Sequence, residues 1–193
     1  MPRNVEWKGR LPDLAAAVTR AADLGDPAHS FERQLDAYFR VPVGRLKLRR
    51  RWLAEPGTAA STPPHAWAEL PFETALPPEL IGYRRPDQGG ARASDYVRVL
   101  LPADSAMAEA LDLALGVEVE VEKIRLVFVH DAVRIHLDDV RECGRFLELE
   151  AIVSENCSDD EAHAKIQRLL EHFRLSKASP LPGSYRELVL GAA

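Results

Sequence analysis

Charged and apolar residues alternate in several short segments of this sequence. Successive side chains of a β-strand point to opposite faces, so residues two apart in a strand share a face. In residues 44–52, Arg45, Lys47 and Arg49 alternate with Leu46 and Leu48. The other alternating segments carry the charged sets Glu6, Lys8 and Arg10; Lys123 and Arg125; Arg134, His136 and Asp138; and Glu148 and Glu150. Each segment therefore predicts a strand with one charged and one apolar face.

The charged faces are sorted by sign along the chain. Carboxylates lie on the first and last of these segments, and basic groups lie on the middle ones. Arginine makes planar bidentate contacts to phosphate oxygens, and lysine supplies a compact charge. Glu6, Glu148 and Glu150 offer the oxygen ligands that a hard divalent ion prefers. A solvated sheet face explains any one strand, but the whole set suits a barrel with a polar lumen that holds a polyphosphate and metal.

Three segments have the periodicity and end signals of helices. Residues 11–24, 104–115 and 158–174 place apolar residues at helical spacing, and Gly25 and Gly116 follow the first two. Between the helices the apolar period changes to two. The resulting strands are predicted at residues 3–10, 34–41, 44–52, 80–85, 94–101, 117–129, 132–139 and 145–153. This order lacks strand–helix alternation, so it predicts an α+β fold in which an antiparallel sheet carries helices on its outside.

One stretch has no lasting periodicity. Residues 53–79 contain six prolines and are interpreted as a long loop inserted between two strands. Trp67 and Phe72 lie in this loop. They could cap a site, because loops of this length are often lids, or they could anchor the loop on the surface.

Length and composition are those of a globular protein. The 193 residues suit a single domain, 1–193, with a loop insertion at about 53–79. The net charge of −5 argues against non-specific nucleic-acid binding, although not against a small polyanion held where basic residues converge. No apolar run is long enough to span a bilayer, and the N-terminal residues lack the pattern of a signal peptide. We therefore expect a cytoplasmic protein with no membrane or nucleic-acid partner.

These segments, in this order, resemble the CYTH or triphosphate tunnel family, and most of all its class IV adenylyl cyclase-like branch. The resemblance runs from RNVEWKGRL at the start to GSYRELVL at the end. The family's ExExK signature is matched at Glu6 and Lys8, whereas Asn4 stands in place of its first glutamate. The resemblance implies an eight-stranded antiparallel β-barrel, or tunnel, in which Mg²⁺ or Mn²⁺ bridges acidic residues and a triphosphate.

The resemblance also implies roles for individual residues. The expected substrate-binding residues are Lys8, Lys47, Arg49, Arg84, Arg92, Lys123, Arg125 and Arg134. The expected metal ligands are Glu6, Glu148, Glu150 and Asp138, and the expected catalytic residues are Lys8 and Asp138. Because Asn4 removes one negative charge, the metal site is expected to rely on Glu6, Glu148 and Glu150 and to bind metal more weakly.

Some residues of the predicted lumen have two interpretations. His136 could contact phosphate or be a structural histidine, and Asp138 could position a nucleophile or form a salt bridge with Arg134. Tyr185 is expected to pack the C-terminal segment against the barrel. Asp36 and Tyr38 are interpreted as strand residues near the tunnel mouth.

The expected activity is conversion of ATP to cyclic AMP and pyrophosphate, as in the cyclase-like branch. Hydrolysis of tripolyphosphate or an organic triphosphate is an alternative, because it needs nearly the same tunnel. A non-catalytic sensor of nucleotide or polyphosphate is a third interpretation. The sequence contains no base-recognition motif that separates the first two, and a homodimer is compatible with the resemblance.

Overall fold

A computed structural model describes residues 3–84, 95–154, 157–181 and 183–192. All eight predicted strands are present, with modest changes in their bounds. They are β1 (Arg3–Arg10), β2 (Ser30–Phe39), β3 (Arg45–Ala54), β4 (Thr74–Arg84), β5 (Asp95–Leu100), β6 (Val117–His130), β7 (Val133–Val140) and β8 (Gly144–Val153). The helices are α1 (Leu14–Ala22), α2 (Pro56–Ser61), α3 (Met107–Leu115), α4 (Asp159–His172) and α5 (Tyr185–Ala192), and a short 3-10 helix covers Pro64–Glu69.

The strands form one antiparallel sheet in the order β1-β8-β7-β6-β2-β3-β4-β5. Two consecutive hairpin runs, β2 to β5 and β6 to β8, are joined by the pairing of β2 with β6. Within the described ranges β1 and β5 are not paired with each other, so the sheet is a curled half-barrel with a concave inner face. The predicted α+β class with eight antiparallel strands is confirmed, and helices α1, α3 and α4 lie on the outside of the sheet.

The main hydrophobic core lies on the outer face of the sheet. Leu126, Ile135 and Leu149 are fully buried there, because every second residue of β6, β7 and β8 points outward. Helices α1 and α4 cover these residues with their apolar faces. At the start of α4, Ser158 and Glu161 form a reciprocal capping box. Helix α3 packs a smaller cluster on the outer side of β2, β3 and β4.

A tight turn fixes the alignment of β6 and β7. Asp131 and Ala132 form the two-residue link between these strands, and both have positive φ, 47° and 59°. This backbone suits the right-handed twist of a two-residue hairpin. The resulting register places Arg125 directly opposite Asp138.

The predicted loop at 53–79 is partly wrong. Strand β3 continues to Ala54 and β4 begins at Thr74, and the segment between them contains α2 and the 3-10 helix. Trp67 is fully buried against Phe31 on the outer face of β2, and Phe72 packs on the same ring. These aromatic side chains therefore anchor the segment and do not cap the inner face.

Helix α5 was not predicted from the sequence. It packs on the inner side of the sheet, where Tyr185 joins Tyr38, Val121 and Phe146 in a small apolar cluster. The position of Tyr185 agrees with the expectation that it packs the C-terminal segment onto the sheet. No helix in the described part of the chain is long and apolar enough to cross a membrane.

Candidate functional site

The inner face of the sheet encloses a cavity of about 250 Å³. All eight strands contribute side chains to its lining, and β7 contributes only Arg134 among the described residues. Ser184 and Tyr185, at the start of α5, complete the lining. The charged lining residues are Glu6, Lys8, Asp36, Lys47, Arg49, Glu79, Arg98, Lys123, Arg125, Arg134, Glu148 and Glu150. Basic side chains therefore outnumber carboxylates in this described lining, seven to five.

Asp36 is the counter-ion of the central basic wall. Its carboxylate is 1% exposed and accepts hydrogen bonds from Arg49 Nε at 2.7 Å and Nη2 at 2.8 Å and from Lys47 Nζ at 2.8 Å. Lys123 Nζ lies 3.9 Å away. Burial disfavours the charge on Asp36, but Arg49 and Lys47 outweigh this effect and hold its pKa well below the usual range.

Two lysines of this wall are poorly compensated. Burial, reinforced by the charge of Arg49, lowers the pKa of Lys47 to about 8 even though Asp36 opposes the shift. Burial and the charges of Arg125 and Arg49 lower the pKa of Lys123 well below its usual value. One carboxylate therefore does not neutralise three neighbouring cations, and an anionic ligand would raise the pKa of both lysines toward the ordinary value.

Arg125 links two buried carboxylates. It donates to both oxygens of Asp138 at 2.6 Å through Nε and Nη2, and Nη2 also donates to Glu148 Oε2 at 2.6 Å. The hydroxyl of Tyr185 donates to Asp138 Oδ2 at 2.6 Å. Burial opposes ionisation of Asp138, but Arg125 keeps its pKa below the ordinary value.

Three carboxylates lie beside this network, Glu6 on β1 and Glu148 and Glu150 on β8, and are called the carboxylate group here. His136 of β7 lies next to them. One ligand atom each from His136, Glu148 and Glu150 lies within 4.8 Å of the other two. Glu6 shares the face, because it pairs with Glu150 across β1 and β8. These donors fit a divalent ion, since they combine two or three anionic oxygens with a buried imidazole nitrogen that has no hydrogen-bond partner among the described residues.

Lys8 sits between the carboxylates of this group. Its Nζ lies 3.1 Å from Glu148 Oε1 and 3.5 Å from Glu6 Oε1. Burial would lower the pKa of Lys8, but Glu148 and Glu6 outweigh it and raise the pKa above the usual value. Lys8 is therefore a permanent cation at neutral pH.

The wall formed by β4 and β5 is more apolar. Ile81, Tyr83 and Tyr96 line it, and Tyr83 and Tyr96 pair across the two strands. Below them Glu79 is buried and accepts a 2.7 Å hydrogen bond from Arg51.

The structure brings most of the predicted site residues to one cavity. Glu6, Lys8, Lys47, Arg49, Lys123, Arg125, Arg134, Glu148 and Glu150 all line it, as does Asn4. Arg84 is exposed at the end of β4 and is not among the lining residues. Arg92 lies outside the described residues. Their proposed contacts with substrate remain predictions.

Asp138 has different partners from those expected. It is fully buried beneath Arg125 and Tyr185, and the alternative partner Arg134 lies 3.7 Å from Glu150 instead. It belongs neither to the lining residues nor to the carboxylate group around His136. The roles of Asp138 as catalyst and metal ligand remain predictions. In the structure its carboxylate accepts two hydrogen bonds from Arg125 and so orients the guanidinium.

Sequence reasoning missed several lining residues. Asp36 and Tyr38, interpreted as mouth residues, are 1% and 4% exposed and line the cavity. The signal was available, because both lie on one face of β2 and alternate with apolar residues. Arg98 and Glu79 were not singled out, and Glu79 fell in the supposed loop.

The fold and the site define a class of protein whose curled antiparallel sheet presents cations and a carboxylate group on its concave face. The sequence matches the CYTH domain over residues 2–185. The chain belongs to the CYTH family.

Solved structures with the same fold cover nearly all of the chain. The PH1012 protein of Pyrococcus horikoshii OT3 is 20% identical, with a TM-score of 0.68 over 96% of this chain and 98% of its own. A proposed adenylate cyclase from Vibrio parahaemolyticus is 17% identical, with a TM-score of 0.67 over 97% and 98%.

The proposed adenylyl cyclase HpAC1 from Hippeastrum, described as having a dominant triphosphatase activity, is 12% identical, with a TM-score of 0.62 over 99% and 96%. At these identities the likeness establishes the fold alone. No curated protein sequence matches the chain significantly.

Proposed function

We propose that this protein binds a triphosphate in the cavity and hydrolyses it with the help of a divalent metal ion. The observation that carries this proposal is the cavity itself, in which under-neutralised cations on β3 and β6 face a carboxylate group on β1 and β8. Such a pair of charged regions suits a phosphate chain whose metal-bound end lies at the carboxylates.

The basic wall binds the phosphate chain. Arg49 and Lys47 exchange part of their contact with Asp36 for contacts with phosphate oxygens. Lys123, whose Nζ lies 3.9 Å from Asp36, gains a closer anionic partner in the phosphate chain. Arg125 stays held by Asp138, so its guanidinium is oriented before the ligand arrives.

A divalent ion held by Glu6, Glu148 and Glu150 would supply charge neutralisation at the reacting phosphoryl group and acidify a bound water. Lys8 adds a fixed positive charge beside it. Because the pKa of Lys8 is raised, this lysine stabilises developing negative charge and does not act as a base.

Hydrolysis fits the cavity better than cyclisation of ATP, which the sequence resemblance favours. The described lining is mostly charged and suits a phosphate chain, whereas sites that enclose organic ligands are mainly apolar. The triphosphatase activity described for the Hippeastrum relative agrees with this choice. The cyclase remains the second candidate, because Tyr83 and Tyr96 could stack on a base at the β4–β5 wall.

The proposal predicts that the purified protein releases orthophosphate from tripolyphosphate when Mn²⁺ or Mg²⁺ is present. Anion-exchange separation of the products distinguishes the candidates, because ATP turned into cyclic AMP and pyrophosphate would identify a cyclase. Tight binding without turnover under either ion would identify a sensor and overturn the enzymatic proposal.

A matched pair of variants tests whether tripolyphosphate binds in the cavity. Arg49 faces the cavity, whereas its neighbour Arg50 is exposed on the opposite face of β3. Arg49→Gln should weaken tripolyphosphate binding by roughly 10- to 100-fold, since a charge-assisted hydrogen bond contributes about 1.5–3 kcal/mol. Arg50→Gln should leave binding unchanged; equal effects would place the ligand elsewhere.

Affinity for tripolyphosphate is expected to fall as the pH rises from 7 to 9. The pKa of Lys47 is about 8 in the free protein, so this lysine loses its charge over that interval. Above pH 8, binding of the polyanion must be accompanied by uptake of a proton by Lys47, which weakens the observed affinity. Titration calorimetry in chelator-containing buffer should show about a tenfold loss beyond that of Lys47→Arg, which stays charged. Identical pH profiles for the two proteins would contradict the assignment.

A further inference from the structure

His136 is a buried imidazole that points at the carboxylate group without a conventional partner. Only 5% of the residue is exposed, and its Nδ1 has no hydrogen-bond partner in the part of the chain that the structure describes. The nearest carboxylate oxygen, Glu148 Oε2, lies 3.6 Å from Nδ1, beyond ordinary hydrogen-bond distance. A buried nitrogen left in this state is costly unless something binds it.

We propose that Nδ1 of His136 is a metal ligand, together with Glu148 and Glu150, and that this nitrogen makes the site select Mn²⁺ over Mg²⁺. The inference rests on the proposed metal-assisted function for its biological role. Its structural basis is independent, since one ligand atom from each of the three residues lies within 4.8 Å of the other two, and Nδ1 of His136 lies 3.6 Å from Glu148 Oε2.

Donor chemistry supports this selectivity. Mg²⁺ prefers oxygen ligands and keeps much of its water shell, so an imidazole adds little to its binding. Imidazole is a ligand of first-row transition ions, and Mn²⁺, although the weakest binder among them, combines this capacity with a preference for carboxylate oxygens. Asn4 lies on the same face of β1 as Glu6 and lines the cavity with a neutral amide, so it adds no anionic oxygen to the site. The set of metal ligands therefore contains fewer anionic oxygens, and the imidazole nitrogen makes up a larger part of it.

The contacts of Glu148 increase the weight of His136. Arg125 and Lys8 already engage the two oxygens of Glu148, at 2.6 and 3.1 Å. These cations compete with a metal ion for the carboxylate and repel the ion itself. In the part of the chain that the structure describes, Glu150 forms an ion pair only with Arg134, at 3.7 Å. The ion is therefore expected to depend chiefly on His136 and Glu150.

Pulsed electron paramagnetic resonance of Mn²⁺ added to the full chain, with no triphosphate present, tests the proposal. A histidine ligand gives nitrogen-14 modulation of the Mn²⁺ echo, which is expected in the unaltered protein. Mn²⁺ bound at one site without nitrogen coupling, or no Mn²⁺ binding at all, would overturn it. Neither outcome depends on turnover, so failure here is distinguishable from failure of the triphosphatase proposal.

A pair of variants assigns the nitrogen. His136→Gln should abolish the coupling and weaken Mn²⁺ binding about 10-fold or more, while changing Mg²⁺ binding less than about 3-fold. The exposed His65 serves as the control, since His65→Gln should preserve both coupling and affinity. Loss of coupling in the His65 variant, or parallel weakening of both ions in the His136 variant, would contradict the proposal.

Discussion

Replacing Arg125 with methionine is expected to lower the free energy of unfolding by about 3–5 kcal/mol. Arg125 is the shared partner of Asp138 and Glu148, and all three residues are buried. Methionine keeps most of the side-chain volume but leaves the desolvated Asp138 without its main counter-charge and Glu148 with Lys8 as its remaining cationic partner among the described residues. Urea denaturation in ligand-free, metal-free buffer measures the loss.

The charge origin of this effect can be separated from lost packing. Adding Asp138→Asn to the Arg125→Met protein removes the carboxylate that has lost its counter-charge, so the double variant should be more stable than the single one. Arg33→Met is a matched control at an exposed ion pair with Glu122, which Arg141 also contacts, and should cost no more than about 1 kcal/mol. Similar losses for Arg33→Met and Arg125→Met would refute the account.

Alternation in the sequence was sufficient to find the charged face of most strands. Lys123 and Arg125 alternate with Ile124 and Leu126 over a long strand, so their common face was fixed by the period of two. Alternation does not give the partner of each charge, because partners depend on strand order and register. Asp138 therefore pairs with Arg125, its neighbour across the β6–β7 hairpin, and not with Arg134 on its own strand.

The predicted loop at 53–79 concealed the first half of strand β4 for an identifiable reason. Pro77 and Pro78 lie within β4, where the register with β3 shifts between Arg49 and Arg51. At such a bulge a residue can lack its ladder hydrogen bond, so proline is tolerated. The same prolines made the sequence resemble a loop, and Glu79, which follows them, was overlooked as a cavity residue.

Helix α5 shows a second limit of sequence reasoning. It has eight residues, too few for a strong periodic signal, and it packs against an inner face whose other side chains are charged. Tyr185 contacts both the apolar and the charged parts of this face, because its ring packs on Phe146 while its hydroxyl donates to Asp138. Its cavity position follows from tertiary contacts that no local pattern records.

Glu150→Gln is expected to reduce turnover by about 100-fold while leaving the fold almost unchanged. Its side chain is 21% exposed, and among the described residues its ion-pair partner is Arg134 at 3.7 Å, so its loss should cost less than about 0.5 kcal/mol. As a proposed metal ligand, however, it is needed for the reaction. Steady-state kinetics with Mn²⁺, beside urea denaturation, measures both quantities.

Glu150→Gln should lower turnover but raise the affinity for tripolyphosphate when no metal ion is present. Removing a carboxylate from a cavity that binds a polyanion lowers repulsion, so Glu150→Gln should bind tripolyphosphate more tightly in the presence of a chelator. Glu148→Gln should differ, because Lys8 and Arg125 both lose a buried partner and stability falls with activity. If Glu150→Gln weakened metal-free binding and turnover equally, Glu150 would be a substrate contact, and the division of the cavity into a phosphate wall and a metal corner would be wrong.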